Sequence, residues 1–125
     1  MNRCIIGIGS NIDAKENISK SLILLQERAN ILAVSDMIET APIGITNQAM
    51  FTNGAVLIET DLSKETLRLV LKQIEDQCGR DRTAPKFGPR TIDLDIVIWN
   101  NEVVDEDYQA RDFLKNSCRE LGFEL

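Results

Sequence analysis

The most informative absence in the sequence is histidine, which occurs nowhere among its 125 residues. This excludes an imidazole general base, a histidine-containing catalytic triad and histidine ligands to zinc. A bound metal ion would then have oxygen ligands, which among common cytosolic ions favours Mg²⁺ or Mn²⁺. Long apolar runs are also missing: no stretch approaches the ~20 residues that span a bilayer, and the run Cys4–Ile8 is too short for a signal peptide. We therefore expect a cytoplasmic protein with no membrane partner.

Cysteines and aromatic residues are scarce. The three cysteines form no CxxC pair, and we expect reduced thiols, with Cys4 and Cys78 in the core because both fall in apolar patterns. Aromatic residues make up 5% of the chain, and its formal net charge is −6. A nucleic-acid partner, which needs a basic surface and stacking rings, is therefore not expected. The length suits a single domain over residues 1–125, and we expect a monomer.

Apolar periodicity predicts an α+β fold. The predicted elements, in chain order, are a strand at Cys4–Ile8, a helix from Asp13 to about Ala29, strands at Ile31–Thr40 and Ala55–Thr60 paired as a hairpin, a helix after Ser63, and a strand at Ile92–Trp99. This β-α-β-β-α-β order is that of a ferredoxin-like sandwich, one largely antiparallel sheet with helices on one face. A further helix, with a weaker signal in the sequence, is predicted near Asp112–Leu121.

The ends of the two main helices carry recognisable signals. Asp13 and Glu16 have the spacing of a capping box at the start of the first helix. Ser63 is a typical N-cap for the second helix, and Gly79 falls where a residue with a left-handed backbone is expected to end it.

Two carboxylates lie in the last predicted strand. Strand alternation places Leu94, Ile96 and Ile98 on the buried face, with Asp93, Asp95 and Val97 on the other. The two acids are then ~6.6–6.8 Å apart along one face, from the rise per residue of a strand. Since aspartate is unfavourable in strands and like charges repel, a divalent cation between the acids is one reading. The other reading is an exposed strand face whose acids are solvated.

A basic loop precedes the two acids. Residues 80–90 contain one acid, Asp81, and four cations, which are Arg80, Arg82, Lys86 and Arg90. The loop therefore has a net charge of +3. Since the whole chain has a net charge of −6, the remaining residues together carry −9. Arginine and lysine bind phosphate oxygens, and carboxylates hold the metal ions that accompany them. The loop therefore indicates a polyphosphate site without a P-loop motif. The alternative is an ion-pair cluster in which Arg80 or Arg90 neutralises Asp93 or Asp95.

Four segments resemble the 6-hydroxymethyl-7,8-dihydropterin pyrophosphokinases of folate biosynthesis. They are IGIGSN near the start, TAPIG at Thr40–Gly44, FTNGAV at Phe51–Val56 and GRDRTAPKFGPRTIDLDIV at Gly79–Val97. Together they occur in the family's order and span most of residues 5–104. The resemblance implies the ferredoxin-like fold and the transfer of pyrophosphate from ATP to a pterin hydroxymethyl group, with release of AMP.

The resemblance also implies roles for single residues. Asp93 and Asp95 would bind two Mg²⁺ ions, and with Arg80 and Arg90 they form the expected catalytic set. The residues expected at the nucleotide are Glu75, Arg80, Arg82, Arg90, Ile96 and Arg119. The residues expected at the reduced pterin are Thr40, Ile43, Phe51, Asn53, Phe87 and Leu121. For Phe51, Phe87 and Asn53, ordinary packing or loop roles are the alternative.

The last third of the chain departs from the family pattern. Family members carry a Pro-His pair there, followed by an arginine and an aromatic residue. In this sequence we match Arg119 to the arginine, while Phe113 replaces the histidine and Leu121 replaces the aromatic residue. The alternative to an active enzyme is therefore a catalytically weak or inactive paralogue that binds pterin or nucleotide. A third hypothesis is a ferredoxin-like interaction module for RNA or protein.

Overall fold

The computed structural model describes residues 1–123, which form one six-stranded sheet and three helices. The elements are β1 (Asn2–Ser10), α1 (Ala14–Gln26), β2 (Asn30–Val34), β3 (Ile38–Thr40), β4 (Phe51–Thr60), α2 (Lys64–Gln77), β5 (Asp93–Trp99), β6 (Glu102–Val103) and α3 (Asp112–Glu120). The sheet order is β2-β4-β1-β5-β6, with β3 also paired to β4, and the pairings are antiparallel. The α+β, ferredoxin-like prediction is confirmed.

Two hydrophobic clusters cover the two faces of the sheet. The larger cluster joins α1 and α2 to one face through Ile6, Ile58, Leu71 and other buried side chains. The smaller cluster joins α3 to the opposite face, where Leu114 and Cys118 pack with Val97. The two main helices therefore share one face as predicted, and α3 adds a cover on the face where no helix was expected.

The predicted helix ends are only partly observed. The Ser63 hydroxyl caps α2 by accepting the Thr66 N–H at 3.2 Å, and Gly79 has the predicted left-handed backbone with φ 82°. The capping box at α1 is wrong. Asp13 has φ 44° and its side chain forms no cap hydrogen bond, because an N-cap carboxylate reaches the helix from an extended backbone.

The predicted strand Ile31–Thr40 is two strands. Val34 pairs with Val56 and Ile38 pairs with Asn53. The chain therefore advances four residues from Val34 to Ile38 while β4 advances only three, and the regular pairing is interrupted between them. Ser35 sits at the break, where its hydroxyl accepts the Ala55 N–H at 2.8 Å. Residues 35–37 belong to no strand, although the Ser35 N–H donates to the Ala55 carbonyl at 2.9 Å, and the alternation in the sequence does not show this interruption.

Ile98 does not lie on the predicted face of the sheet, the one that it was expected to share with Leu94 and Ile96. Ile5 pairs with Ile98 and Ile6 with Ile96, so Val97 is an extra residue in a β-bulge. Beyond the bulge the alternation is reversed, and Ile98 packs in the α3 cluster beside Val97. Leu94 and Ile96 keep the predicted face. The short strand β6, which was not predicted, follows a turn through Asn100 and Asn101, both with positive φ.

The three cysteines are free and buried, as expected for Cys4 and Cys78. Burial raises the pKa of Cys4 to about 12 and that of Cys118 to about 11, so neither thiol is a nucleophile at neutral pH. Within residues 1–123, none of the helices has the length and apolar character needed to cross a membrane.

Candidate active site

Two cavities meet at the start of β5. The larger is about 290 Å³ and lies over the ends of β3 and β4, and the other is about 250 Å³ and lies between β5 and α2. Arg80, Asp93 and Asp95 line both cavities. The acids and the basic loop are thus brought together as predicted, with one compartment on each side.

Asp93 and Asp95 face the cavities from the same side of β5. They pair with Gly9 and Gly7 of β1, so no neighbouring side chain on β1 covers them. Desolvation in the cleft, with repulsion from Asp93 and then Asp105, raises the pKa of Asp95 to about 8. The charged form of Asp95 is therefore unfavourable when no divalent cation is bound, whereas Asp93 already has Arg80 beside it.

The donor set fits a magnesium ion that shares its coordination with a substrate. Mg²⁺ is usually held by one or two carboxylates plus phosphate oxygens and water rather than by a complete protein cage. Within residues 1–123, no group of three or more acidic, cysteine or histidine side chains could hold a metal ion by itself. Two cavity-facing carboxylates beside a basic loop match the shared arrangement.

Glu75 organises the base of this junction. Its carboxylate is buried and accepts the N–H of Leu94 at 2.8 Å, between the two aspartates. It also pairs with Arg80 at 3.2 Å and with Arg82 at 3.0 Å. Burial raises the pKa of Glu75, while the Leu94 N–H and Arg80 lower it. Glu75 lines the smaller cavity, as expected of a residue near a nucleotide, but its carboxylate already has three protein partners.

Of the two arginines that could neutralise Asp93 or Asp95, only Arg80 forms such an ion pair within residues 1–123. Arg80 lies 3.3 Å from the Asp93 carboxylate, so these charges partly neutralise each other. Arg90 forms no ion pair within residues 1–123, and its guanidinium donates to the carbonyls of Lys86, Gly88 and Pro89. The Arg80 Nε is buried without a hydrogen-bond partner in the described chain. Within the described residues, the junction therefore keeps one arginine without a carboxylate partner, Arg90, and one unused buried donor, the Arg80 Nε.

The residues expected at the pterin mostly line the larger cavity. Its wall includes Thr40, Ile43, Phe51, Asn53 and Phe87. The Asn53 amide donates to the Thr40 hydroxyl at 2.5 Å, which fixes both polar groups at the cavity wall. This places apolar rings and an oriented amide in one compartment, as a flat heterocycle with a polar edge requires.

We predict that Gly9→Ala weakens binding in this cavity. An added Cβ would lie 2.7 Å from the Asn53 Oδ1, so the amide must shift. Loss of one oriented hydrogen bond is expected to weaken binding of the expected ligand, a reduced pterin, about 3- to 10-fold, as measured by fluorescence titration. In an Asn53→Ala background the Gly9→Ala change should have no further effect, and a full additional loss there would contradict the Asn53 explanation.

Arg119 and Leu121, which were expected at the nucleotide and the pterin, do not line the two cavities that meet at β5. Leu121 lines a separate cavity with Arg3 and Leu57, and Arg119 donates to Asn116 on the exposed side of α3. The reason is that α3 runs along the sheet away from the carboxylates. Its N-terminal end, not its C-terminal end, reaches the larger cavity, which Arg111 and Phe113 line. The expected arginine and aromatic residue therefore match eight residues earlier, at the same spacing.

Sequence reasoning also missed two acids. Asp107 lines the larger cavity, and Asp105 lies with Asp93 and Asp95 in a small adjoining cavity of about 90 Å³. The signal in the sequence that could have identified these two acids is the acidic segment that follows β6. That segment precedes α3 directly, and so its side chains share the site that the helix end reaches.

Comparison with known proteins agrees with this geometry. The family model described as 7,8-dihydro-6-hydroxymethylpterin-pyrophosphokinase matches residues 5–122. The chain is 38% identical over 109 residues to a Bacillus subtilis protein named 2-amino-4-hydroxy-6-hydroxymethyldihydropteridine pyrophosphokinase, covering 85% of this chain and 65% of that protein. A protein of the same name from Aquifex aeolicus is 35% identical over 100 residues, covering 79% and 62%.

A third relative is the folic acid synthesis protein fol1 of Schizosaccharomyces pombe, which is 39% identical over 105 residues, 82% of this chain and 14% of that protein. The chain spans less than two thirds of the length of each of these relatives. The family match nevertheless covers all three helices and the complete carboxylate junction. The chain belongs to the 7,8-dihydro-6-hydroxymethylpterin-pyrophosphokinase family.

Proposed function

We propose that the protein transfers pyrophosphate from ATP to 6-hydroxymethyl-7,8-dihydropterin with two Mg²⁺ ions and releases AMP. The observation that carries the proposal is the shared wall of the two cavities, formed by Arg80, Asp93 and Asp95. A group-transfer enzyme must bring a donor and an acceptor together at one charged junction, and these cavities meet there. Because a single chain lines both of them, a monomer is the proposed working unit, in the cytoplasm.

The larger cavity suits the pterin. Phe51, Phe87 and Phe113 offer ring faces, and the Asn53–Thr40 pair offers a fixed polar edge. Phe113 takes the place of the second aromatic residue rather than that of the family histidine, so the missing histidine alone still favours the paralogue alternative. Ring–ring contact contributes about 0.5–1.5 kcal/mol beyond burial of the same area.

The smaller cavity suits the nucleotide. Its lining combines the cations Arg68, Lys72 and Arg82 with the apolar side chains of Leu71 and Ile96. Cationic groups bind phosphate oxygens, and an apolar floor accepts a base or ribose. Arg82 is held on α2 by Asp76 at 3.0 Å and by the Lys72 carbonyl at 3.1 Å.

Asp93 and Asp95 are the residues that would hold Mg²⁺. When bound, Mg²⁺ supplies charge neutralisation at the phosphate oxygens and lowers the pKa of the acceptor hydroxyl. The acceptor oxygen forms a bond to the β-phosphorus, the bond from that phosphorus to the oxygen bridging to the α-phosphate breaks, AMP leaves, and the hydroxyl proton passes to solvent. Arg80 and Arg90 orient the phosphates and stabilise the developing negative charge.

The test is AMP release from ATP, measured with and without the reduced hydroxymethyl pterin and Mg²⁺. We expect AMP formation that requires both. Pterin binding without AMP would instead support the paralogue that binds and does not turn over. Absence of both binding and turnover would overturn the proposal and leave the interaction-module hypothesis.

A further inference from the structure

The turn between β6 and α3 is firmly anchored although it lies at the cavity mouth. Tyr108 in this turn is buried, and its ring packs edge-on to Phe123 with centroids 6.0 Å apart. The N–H of Asp107 donates to the Asp105 carboxylate at 2.8 Å, and the Asp107 carbonyl accepts the Ala110 N–H at 3.1 Å. The backbone of Asp107 is therefore fixed on both sides.

The Asp107 carboxylate lies next to Arg111. Its Oδ2 is 3.6 Å from an Arg111 guanidinium nitrogen, and the Arg111 side chain is only 22% exposed. Both residues line the larger cavity, and both also line the adjoining cavity of about 90 Å³ that contains Asp93, Asp95 and Asp105. Within residues 1–123, Arg111 pairs with no other carboxylate. A long arginine side chain loses much rotamer freedom when it is ordered, so a fixed partner orders it before the substrate arrives.

We propose that Asp107 is a positioning residue, which holds the Arg111 guanidinium toward the junction where the two substrates meet. The proposal rests on the proposed function and adds a residue to it. Asp107 itself is negative and faces a site for polyphosphate. A carboxylate that only repelled ATP would, on removal, tighten ATP binding and leave turnover unchanged. A positioning carboxylate has the opposite signature, because its removal slows turnover without weakening ATP binding.

The kinetic test compares Asp107→Asn with Glu106→Gln. Glu106 is the adjacent exposed acid, lines neither cavity and undergoes the same change of charge. We expect kcat to fall about tenfold in Asp107→Asn because the Arg111 guanidinium is then misplaced. KM for ATP should be unchanged or lower. Glu106→Gln should match the wild type, and Asp107→Glu should restore part of kcat. In an Arg111→Ala background Asp107→Asn should have no further effect; an unchanged kcat in Asp107→Asn, or full additivity, overturns the proposal.

A second readout does not need turnover. The Nε–Hε group of Arg111, assigned by its loss in Arg111→Lys, reports the order of the guanidinium by nuclear magnetic relaxation. We expect its order parameter to fall from about 0.8 to below about 0.6 in Asp107→Asn, the range of flexible groups. An unchanged value overturns the positioning role whether or not the enzyme turns over. A wild type that releases no AMP refutes the proposed function, and the relaxation data then decide the positioning claim alone.

Discussion

Asp95→Asn is expected to abolish Mg²⁺-dependent nucleotide binding and to lower kcat/KM by at least ~10³-fold, about 4 kcal/mol in the transition state. The reason is that Asp95 faces both cavities and supplies one of the two carboxylates at the junction. Asparagine keeps the size of the side chain but removes the charge that a divalent cation requires. Calorimetric titration with Mg²⁺ and a non-hydrolysable ATP analogue measures the loss of binding, and the AMP assay measures the loss of rate.

The same substitution is expected to leave the metal-free protein at least as stable as the wild type. Desolvation and repulsion from Asp93 raise the pKa of Asp95 to about 8, so its charge is unfavourable in the folded state without a cation. Asp61→Asn is the matched control, an exposed acid in the turn before α2. Unchanged Mg-ATP affinity in Asp95→Asn would show that the two acids are only a solvated strand face.

Glu75→Ala is expected to lower the free energy of unfolding by about 3–5 kcal/mol, as measured by urea denaturation. The substitution leaves the Leu94 N–H without its buried acceptor and removes one of the two carboxylates that pair with Arg80, so that only Asp93 remains beside this guanidinium. Breaking a buried ion pair from one side costs more than the pair contributes, because the remaining charge is less well compensated. For a chain of this size the melting temperature should fall by about 10–20 °C.

Two further variants separate the contributions of Glu75. Glu75→Gln keeps an acceptor for the Leu94 N–H but loses the charge beside Arg80 and Arg82, so an intermediate loss is expected. Glu65→Ala, an exposed acid in the first turn of α2, should change stability by about 0.5 kcal/mol or less. If Glu75→Ala were no more destabilising than Glu65→Ala, the buried network would not hold the base of the junction.

Residues that lie close together in sequence were the ones predicted well. The alternation from Leu94 to Ile96 showed which side of the strand carries the acids, because neighbours in a strand always point to opposite faces. The Ser63 cap and the left-handed Gly79 were also predicted, since each depends on hydrogen bonds within one turn of helix.

Predictions failed where a distant part of the chain decides the local geometry. The bulge at Val97 depends on how β5 pairs with β1, and it reversed the face of Ile98. The break at Ser35 depends on its bond to Ala55 of β4. Arg119 and Leu121 lie away from the larger cavity because α3 crosses the sheet in a direction that the order of residues does not reveal, and this direction brings Arg111 and Phe113 to the cavity instead.

By itself, the sequence determined the fold class and the family, and it singled out the basic loop and its paired acids, in a chain without histidine, as the candidate polyphosphate site. These features depend on composition and short-range periodicity, which are properties of a linear chain. Only the tertiary structure decided that two cavities share those acids, that Glu75 lies buried beneath them, and that the turn through Asp107 completes the mouth. Such contacts join residues far apart in sequence, so they exist only once the sheet has paired and the helices have packed on both of its faces.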